Sequence, residues 1–166
     1  AEKILAIRNY GSTKKYFYDY KGFNHRLDTI QAAFLLRKIG GKDKEIIQRR
    51  KISEIYLKDF KDLENIKSLN ISPQESVWHI FPLLVKDRDH FVKYMTAKDI
   101  QTNVHYPNCI HDIEVWKDQI CKGESKNGTF ISRHIVSIPC HSQLTDLEVQ
   151  KVSAAVVNYD KIIYNK

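Results

Sequence analysis

The stretch V-W-H-I-F-P-L-L-V, residues 77–85, is predicted to form a β-strand, because it is a short apolar run with aromatic and β-branched residues. Pro82 has no N–H to donate to a neighbouring strand, so this strand is expected at the edge of a sheet. Two shorter strands are predicted downstream, at residues 102–106, which stop at Pro107, and at Ile135–Ile138, which stops at Pro139. A small sheet is therefore expected in the second half of the chain.

Two helices are predicted ahead of this sheet. Residues 28–39 are apolar nearly all round, which is typical of a buried helix, and the pair Gly40-Gly41 ends it. Residues 43–63 carry apolar side chains at three- and four-residue spacing with charges elsewhere, which predicts a helix with one buried face. Residues 68–76 are expected to form a loop.

Two more helices are predicted around the later strands. Asp89 is in position to cap a short helix that contains Phe91. The sequence T-D-L-E, residues 145–148, is a capping box that opens a final helix. The side chains of this helix that are expected to point inward are Val152, Val156, Tyr159 and Ile163.

These elements predict an α/β fold in which long helices are followed by a small sheet packed with helices. Residues 1–67 are predicted to be a linker segment with interface helices, and residues 68–166 a small α/β C-terminal domain. The first residues, A-E-K-I-L-A-I-R, begin inside a periodic pattern without a cap, so we expect the chain to be cut from a longer protein.

Composition favours a globular protein of the cytoplasm. The chain has 166 residues, 42% hydrophobic and 28% charged, which is enough to bury a real core. No apolar run approaches the ~20 residues that span a bilayer, and the start has no signal-peptide pattern. Three irregularly spaced cysteines indicate a reducing compartment. We therefore predict no membrane partner.

The net charge of +7 does not predict nucleic-acid binding. Its basic clusters are short, and those at residues 42–44 and 49–51 alternate with acids, as on a solvated helix face. The sequence contains no pattern of a known nucleic-acid module. Attraction to a phosphorylated small molecule explains the charge as well.

The sequence also predicts no metal site and no complete active site. Cys109-x-His111 and Cys140-His141 lack the two-to-four-residue spacer of a zinc finger or ribbon. There is no glycine-rich phosphate loop and no nucleophile elbow. His111 and His141 are expected to be loop histidines.

Several segments nevertheless resemble the DegT/DnrJ/StrS family of nucleotide-sugar aminotransferases that depend on pyridoxal 5'-phosphate (PLP). They are I-R-N-Y-G-S (7–12), K-Y (15–16), G-F-N-H-R-L-D-T-I-Q-A-A (22–33), I-Q-T-N-V-H-Y-P (100–107) followed by His111, and S-I-P-C-H-S-Q-L-T-D-L-E (137–148). Their order and spacing match over essentially all of the chain. The departures are small: Asp99 replaces a usual glycine, and Cys109 and Ser142 replace usual prolines.

The resemblance implies the C-terminal small domain of a fold-type I PLP-dependent transferase. In the family, the lysine that forms the Schiff base lies in a large upstream domain, so this chain alone is expected to be inactive. Lys86, at a predicted strand end beside Asp87 and Arg88, is the one lysine whose position could suit a Schiff base, and it is expected to be solvated instead. The complete enzyme is expected to move an amino group from glutamate to a nucleotide-linked keto-deoxysugar, such as a dTDP-3-keto-6-deoxyhexose, for polysaccharide or glycoside biosynthesis.

The resemblance also implies cofactor contacts within G-F-N-H-R-L-D. Family members are homodimers with shared active sites, and Asn24 is expected to reach the PLP phosphate of the neighbouring subunit. A helix start would favour that contact through its dipole, although simple helix capping by Asn24 is the alternative. Arg26 could bind phosphate or substrate anions, or pair with Asp28. Phe23 and Leu27 are expected in the core.

His105 and Tyr106 are implied to reach the sugar-nucleotide site. The alternative is that Tyr106 packs on the core and His105 is solvated. Two other functions remain open: a sugar 3-dehydratase of the same family, in which histidine replaces the Schiff-base lysine, and a free-standing interaction domain without catalysis.

Overall fold

The computed structural model describes residues 1–116 and 125–164, and the chain divides into two compact units, Ala1–Lys42 and Asp43–Lys166. The domain boundary predicted after residue 67 stays a prediction. The first unit contains helix α1 (Glu2–Ile7), strands β1 (Ser12–Lys14) and β2 (Phe17–Tyr18), and helix α2 (Thr29–Ile39). Strands β1 and β2 form an antiparallel pair.

Helix α2 ends before Gly40, as predicted, but it has no buried residue. The prediction of a buried helix is therefore wrong for this chain. Ile30, Phe34 and Leu36 are each more than 60% exposed. The pattern correctly identifies a helix that is apolar nearly all round, but the first unit has only a short helix and a two-stranded hairpin to set against it.

The second unit contains the longer elements. It begins with helix α3 (Lys42–Asp59) and strand β3 (Ile66–Ser68), and a short 3₁₀ turn (Pro73–Glu75) leads to strand β4 (Phe81–Val85). After helix α4 (Arg88–Thr96) come two further 3₁₀ turns (Ile110–Asp112 and Glu114–Trp116). Helix α5 (Lys126–His134), strand β5 (Ile135–Ile138) and helix α6 (Asp146–Tyr164) complete it. An α/β fold with a small sheet is confirmed.

Strand β4 lies at the centre of an antiparallel sheet with the order β3–β4–β5, so the predicted edge position is wrong. Pro82 is opposite Ser137, whose backbone N–H and C=O bond to Asn103 on the other side. Pro82 therefore faces the β3 side, where the pairing ends at Ser68 opposite Leu83. The proline is tolerated in a central strand because the ladder has already stopped where its N–H would be needed.

The core of the second unit lies between the sheet and the helices that pack on it. Its largest side chains with less than 2% exposure are Trp78, Tyr56, Tyr159, Phe60, Phe81 and Phe91. The capping box is present at the start of α6, where Thr145 and Glu148 exchange hydrogen bonds. Val152, Val156 and Tyr159 are buried and Ile163 packs against the same core, as predicted.

Three local predictions need correction. The N-cap of α4 is Asp87, whose carboxylate accepts the His90 N–H, because Asp89 already lies in the first turn. Residues 102–106 form no strand and contribute only a bridge between Asn103 and Ser137. Residues 77–80 precede strand β4, and the backbone of Trp78 has a positive φ there.

Arg49 and Arg50 are half-buried, although the sequence placed them on a solvated helix face. The Nη1 of Arg49 donates to the carbonyl oxygens of Trp78 and His79 at 3.1 Å and of Cys140 at 2.7 Å. Arg50 likewise donates to the carbonyl oxygens of Ser76 and Gln74. A guanidinium can reach several acceptors at once, which is why these charges are used inside the fold.

None of the helices within residues 1–116 and 125–164 has the length and apolar composition required to cross a membrane.

We expect Arg49→Met to lower the free energy of unfolding by about 2–4 kcal/mol, because a hydrogen bond to a charged donor contributes about 1.5–3 kcal/mol and the three acceptors share one nitrogen. Urea denaturation of the 166-residue chain measures this loss. Lys51→Met is the matched control, since it removes one exposed cation from the same helix and should change stability by less than about 0.5 kcal/mol. Equal losses in the two variants would contradict a structural role for Arg49.

Candidate functional site

Asn24 lies in a segment that is hydrogen-bonded to residues 7–10 of the first unit. Asn9 and Asn24 form an isolated antiparallel bridge. The amide of Phe23 donates to Ile7 at 2.7 Å and that of His25 donates to Arg8 at 2.9 Å. The Arg8 side chain returns a hydrogen bond to the His25 carbonyl oxygen. The motif segments I-R-N-Y-G and G-F-N-H-R are therefore two partners of one backbone pairing.

Two glycines allow this pairing. Gly11 has a φ of +78°, and a Cβ on it would lie 1.8 Å from the carbonyl oxygen of Tyr20. A Cβ on Gly22 would lie 1.9 Å from the Gly11 nitrogen. Both distances are far below any van der Waals contact, so only glycine fits at either position.

The side chains of Asn24 and Arg26 are exposed, and within residues 1–116 and 125–164 they make no hydrogen bond or ion pair. Helix α2 begins only at Thr29 with Asp28 at its N-cap, so Asn24 neither caps this helix nor lies in its dipole field. Both the capping alternative and the dipole argument for Asn24 are therefore wrong. The alternative of an Arg26–Asp28 pair is likewise absent from the described residues.

Phe23 and Leu27 are not core residues. They are 59% and 52% exposed, and the ring of Phe23 stacks on His25 with centroids 5.2 Å apart. The first unit thus presents polar donors and apolar side chains together on its surface.

His105 is half-buried in the second unit and is held by two side chains. Its Nδ1 is 3.0 Å from the Ser137 hydroxyl and its Nε2 is 3.2 Å from the Asn103 amide nitrogen. Tyr106 is 74% exposed, and the peptide bond between it and His105 is cis. The alternative with Tyr106 packed on the core and His105 solvated is wrong, because the two residues have the opposite environments.

His105 lines an open cavity of about 640 Å³ within the second unit. Arg49, His79, Ser137 and His141 line it too. These residues offer guanidinium, imidazole and hydroxyl groups, and no acidic side chain from residues 1–116 and 125–164 lines the cavity. The cavity is suited to a polar or anionic ligand.

Cys140 lies in the wall of the same cavity but is not a reactive group. Burial raises the pKa of its thiol to about 11, and the nearby Arg49 guanidinium only partly offsets this effect. Since the thiolate is the nucleophile, Cys140 is inert near neutral pH.

The described part of the chain offers no candidate for a Schiff-base lysine. Every lysine within residues 1–116 and 125–164 is exposed, including Lys86. A reactive lysine needs burial or a cationic neighbour to lower its pKa. No described lysine therefore meets this requirement.

Sequence reasoning missed three residues of the cavity: Arg49, His79 and Ser137. Arg49 lies in a cluster of charged residues that is typical of a solvated helix face, so the sequence did not indicate a site there. His79 lies within an apolar run that was predicted to be a strand. Ser137 carried a usable signal, since it begins the motif S-I-P-C-H-S. His141, predicted to be a loop histidine, lies in a loop that forms part of the cavity wall.

Comparison with known proteins identifies the same family over nearly the whole chain. The sequence model of the DegT/DnrJ/EryC1/StrS aminotransferase family matches residues 1–157. The chain is 34% identical over 162 residues to a dTDP-3-amino-3,6-dideoxy-alpha-D-galactopyranose transaminase of Aneurinibacillus thermoaerophilus, covering 96% of this chain and 44% of that protein. It is 30% identical to a dTDP-3-amino-3,4,6-trideoxy-alpha-D-glucose transaminase of Streptomyces venezuelae, covering 94% and 42%.

A solved structure shares the fold. The crystal structure of S. venezuelae DesV in complex with a ketimine intermediate matches with a TM-score of 0.87 and 28% identity, covering 94% of this chain and 43% of that one. The chain thus spans less than half the length of the relatives it matches.

We expect Gly22→Ala to break the pairing between residues 7–10 and 23–25, because the added Cβ collides with backbone atoms. Amide hydrogen exchange at Phe23 and His25 should accelerate by more than about tenfold. Gly40→Ala is the matched control, since nothing lies within 4 Å of its Cβ position, and it should leave these amides unchanged. Unchanged protection in Gly22→Ala would show that the close approach of the two glycines is not required.

Proposed function

Because the chain belongs to the DegT/DnrJ/EryC1/StrS aminotransferase family, we propose that it forms the C-terminal part of a PLP-dependent nucleotide-sugar aminotransferase. The complete enzyme transfers an amino group from glutamate to a keto-deoxysugar linked to a nucleotide. The observation that carries the proposal is the 34% identity, over 96% of this chain, with a protein named as a dTDP-3-amino-sugar transaminase. A dTDP-3-keto-6-deoxyhexose is accordingly the proposed substrate.

Asn24 and Arg26 are the proposed contacts to the PLP phosphate. The amide of Asn24 and the guanidinium of Arg26 are hydrogen-bond donors suited to a phosphate, and both are exposed and without partners in the described residues. The backbone between them is held by the pairing with residues 7–10, so little ordering would be needed on binding. When bound, PLP supplies the electron sink for the amino transfer, and these side chains hold and orient it.

His105 and Tyr106 are the proposed contacts to the nucleotide sugar. The Ser137 hydroxyl and the Asn103 amide fix the ring of His105, while the Tyr106 side chain remains free to meet a ligand. The cavity is lined by Arg49 and three imidazoles, those of His79, His105 and His141, and by no acidic residue of the described chain. Such a surface favours the diphosphate of a nucleotide sugar over a cation.

The exposed apolar surface of the first unit supports a homodimer with shared active sites. Helix α2 exposes Ile30, Phe34 and Leu36, and an apolar surface of this kind is normally covered in a working protein. We propose that the rest of the enzyme and its partner subunit cover it. Cytoplasmic biosynthesis of a surface polysaccharide or a glycoside is the proposed setting.

We expect the 166-residue chain alone to form no defined covalent adduct with PLP, because every described lysine is exposed. The chain is mixed with PLP, reduced with borohydride, and mapped by peptide mass spectrometry. Weak labelling spread over surface lysines is the expected result. Stoichiometric labelling of one lysine would contradict the proposal that the Schiff-base lysine lies upstream.

In the complete enzyme, we expect Asn24→Ala to weaken PLP affinity by about ten- to a hundredfold, since a hydrogen bond to a charged group contributes about 1.5–3 kcal/mol. Thermal stability of the 166-residue chain should not change, because Asn24 caps no helix. Asn70→Ala is the matched control, because Asn70 is another exposed asparagine and lies in the second unit. Unchanged PLP affinity in Asn24→Ala would remove Asn24 from the cofactor site.

Mixed dimers test whether Asn24 acts across the subunit interface. An Asn24→Ala subunit is combined with a subunit that lacks the upstream Schiff-base lysine. If Asn24 acts on the neighbouring site, each mixed dimer has one intact site, and activity returns at limiting PLP. Verified mixed dimers without any recovery would mean that Asn24 serves its own subunit.

A further inference from the structure

Three side chains in the second unit converge as metal ligands do. Cys109 Sγ, one ring nitrogen of His111 and one carboxylate oxygen of Asp112 all lie within 4.8 Å of one another. His111 Nε2 is 3.6 Å from Asp112 Oδ1. Ligands of one tetrahedral zinc ion lie about 3.3–3.6 Å apart, given bond lengths of about 2.0–2.3 Å. The three atoms are therefore no more than about 1.5 Å beyond the spacing of zinc ligands.

Helix α5 lies beside two of these groups with one of its faces. The Ser132 hydroxyl is 3.5 Å from Cys109 Sγ, and the Thr129 hydroxyl is 3.4 Å from His111 Nε2. Residues three apart on a helix share a face, so Thr129 lies beside the imidazole and Ser132 beside the thiol on the same side of α5. The Ser132 hydroxyl is placed to act as an outer-shell partner of the thiol. The Thr129 hydroxyl lies beside the His111 nitrogen that faces Asp112, so a bound ion would take its place there.

We propose that Cys109, His111 and Asp112 bind a divalent ion of the zinc class. Sulfur, imidazole and carboxylate are the donor types that zinc combines. On binding, the metal–sulfur bond replaces the S–H bond of Cys109, and the proton passes to water. Three protein ligands leave a fourth position for water, as in zinc sites that are open to solvent.

Cys109 is a departure from the motif that this segment resembles, in which proline is usual at that position. The proposed site therefore uses a ligand that the motif as such does not supply. The prediction of no metal site relied on the absence of the two-to-four-residue spacer of zinc fingers and ribbons. That spacer describes only those two kinds of zinc site. In this chain the ligands lie on one 3₁₀ turn, Ile110–Asp112, with Cys109 at its N-cap.

Cys140-His141 provides the contrast. Cys140 is also buried, but its thiol faces the backbone carbonyl oxygen of Arg49. No group of three ligands within residues 1–116 and 125–164 includes Cys140 or His141. A cysteine close to a histidine in sequence is therefore not sufficient for a metal site. Cys140 and His141 can serve as controls for Cys109 and His111.

Cobalt titration of the untagged 166-residue chain, stripped of metal and kept reduced, tests the proposal. We expect one equivalent of Co²⁺ to bind with a sulfur-to-cobalt absorption band, and Zn²⁺ to displace it. Cys109→Ser should abolish the band. Asp112→Asn, at a side chain that is 56% exposed, should leave the far-ultraviolet circular dichroism unchanged and weaken Zn²⁺ affinity by at least about tenfold.

Cys140→Ser and His141→Ala are the controls, and both should bind Co²⁺ like the unaltered chain. The proposal is overturned if no stoichiometric binding occurs, if the band survives Cys109→Ser, or if Cys140→Ser removes it. Unchanged Zn²⁺ affinity in a folded Asp112→Asn variant would also overturn it. PLP and sugar substrates take no part in the measurement, so its outcome is independent of the proposed aminotransferase function.

Discussion

The guanidinium of Arg49 is the contact on which the second unit depends most. One nitrogen of this side chain donates to carbonyl oxygens just before strand β4 and just after strand β5. These carbonyls lie in irregular backbone, where no ladder is available to satisfy them. Arg49 therefore fixes helix α3 against both strands. The Tyr56 hydroxyl, two helical turns further on, adds a bond to the Pro139 carbonyl oxygen.

This arrangement determines the cavity beside His105. Arg49, His79 and Cys140 belong to the cavity wall because the same hydrogen bonds that stabilise the fold bring them together. Within the described part of the chain, Arg49 uses only Nη1 in these bonds, so its other nitrogens remain for a ligand. The cation that stabilises the fold is therefore also part of the cavity wall.

The sequence predicted those features that depend on neighbouring residues. The final helix followed from the Thr145–Glu148 exchange, and strand β5 from an apolar run that stops at Pro139. The position of β4 could not be predicted, because Pro82 obeys the edge rule only locally, on the side where β3 has ended. Arg49 was missed for the same reason, since its acceptors lie about 30 and 91 residues away.

Helix α2 shows the opposite limit. Its apolar pattern correctly predicts a helix whose side chains favour burial, yet no residue of α2 is buried in this chain. An apolar sequence pattern shows which helix faces favour burial, but a face is buried only where another element covers it. The predicted core positions Phe23 and Leu27 fail in the same way.

Within G-F-N-H-R-L-D, the structure separates residues that serve the backbone from residues that do not. Gly22 is explained by its contact with Gly11, whereas Asp28 occupies the N-cap position of α2 without a side-chain hydrogen bond to the helix. The side chains of Asn24 and Arg26 contribute nothing to the described fold, although both are costly to hold in one place. Because their backbone is held by the pairing with residues 7–10, both donors can meet a phosphate without giving up a contact of the described fold. The proposed PLP contact rests on this property and on the motif, and it does not depend on the helix dipole.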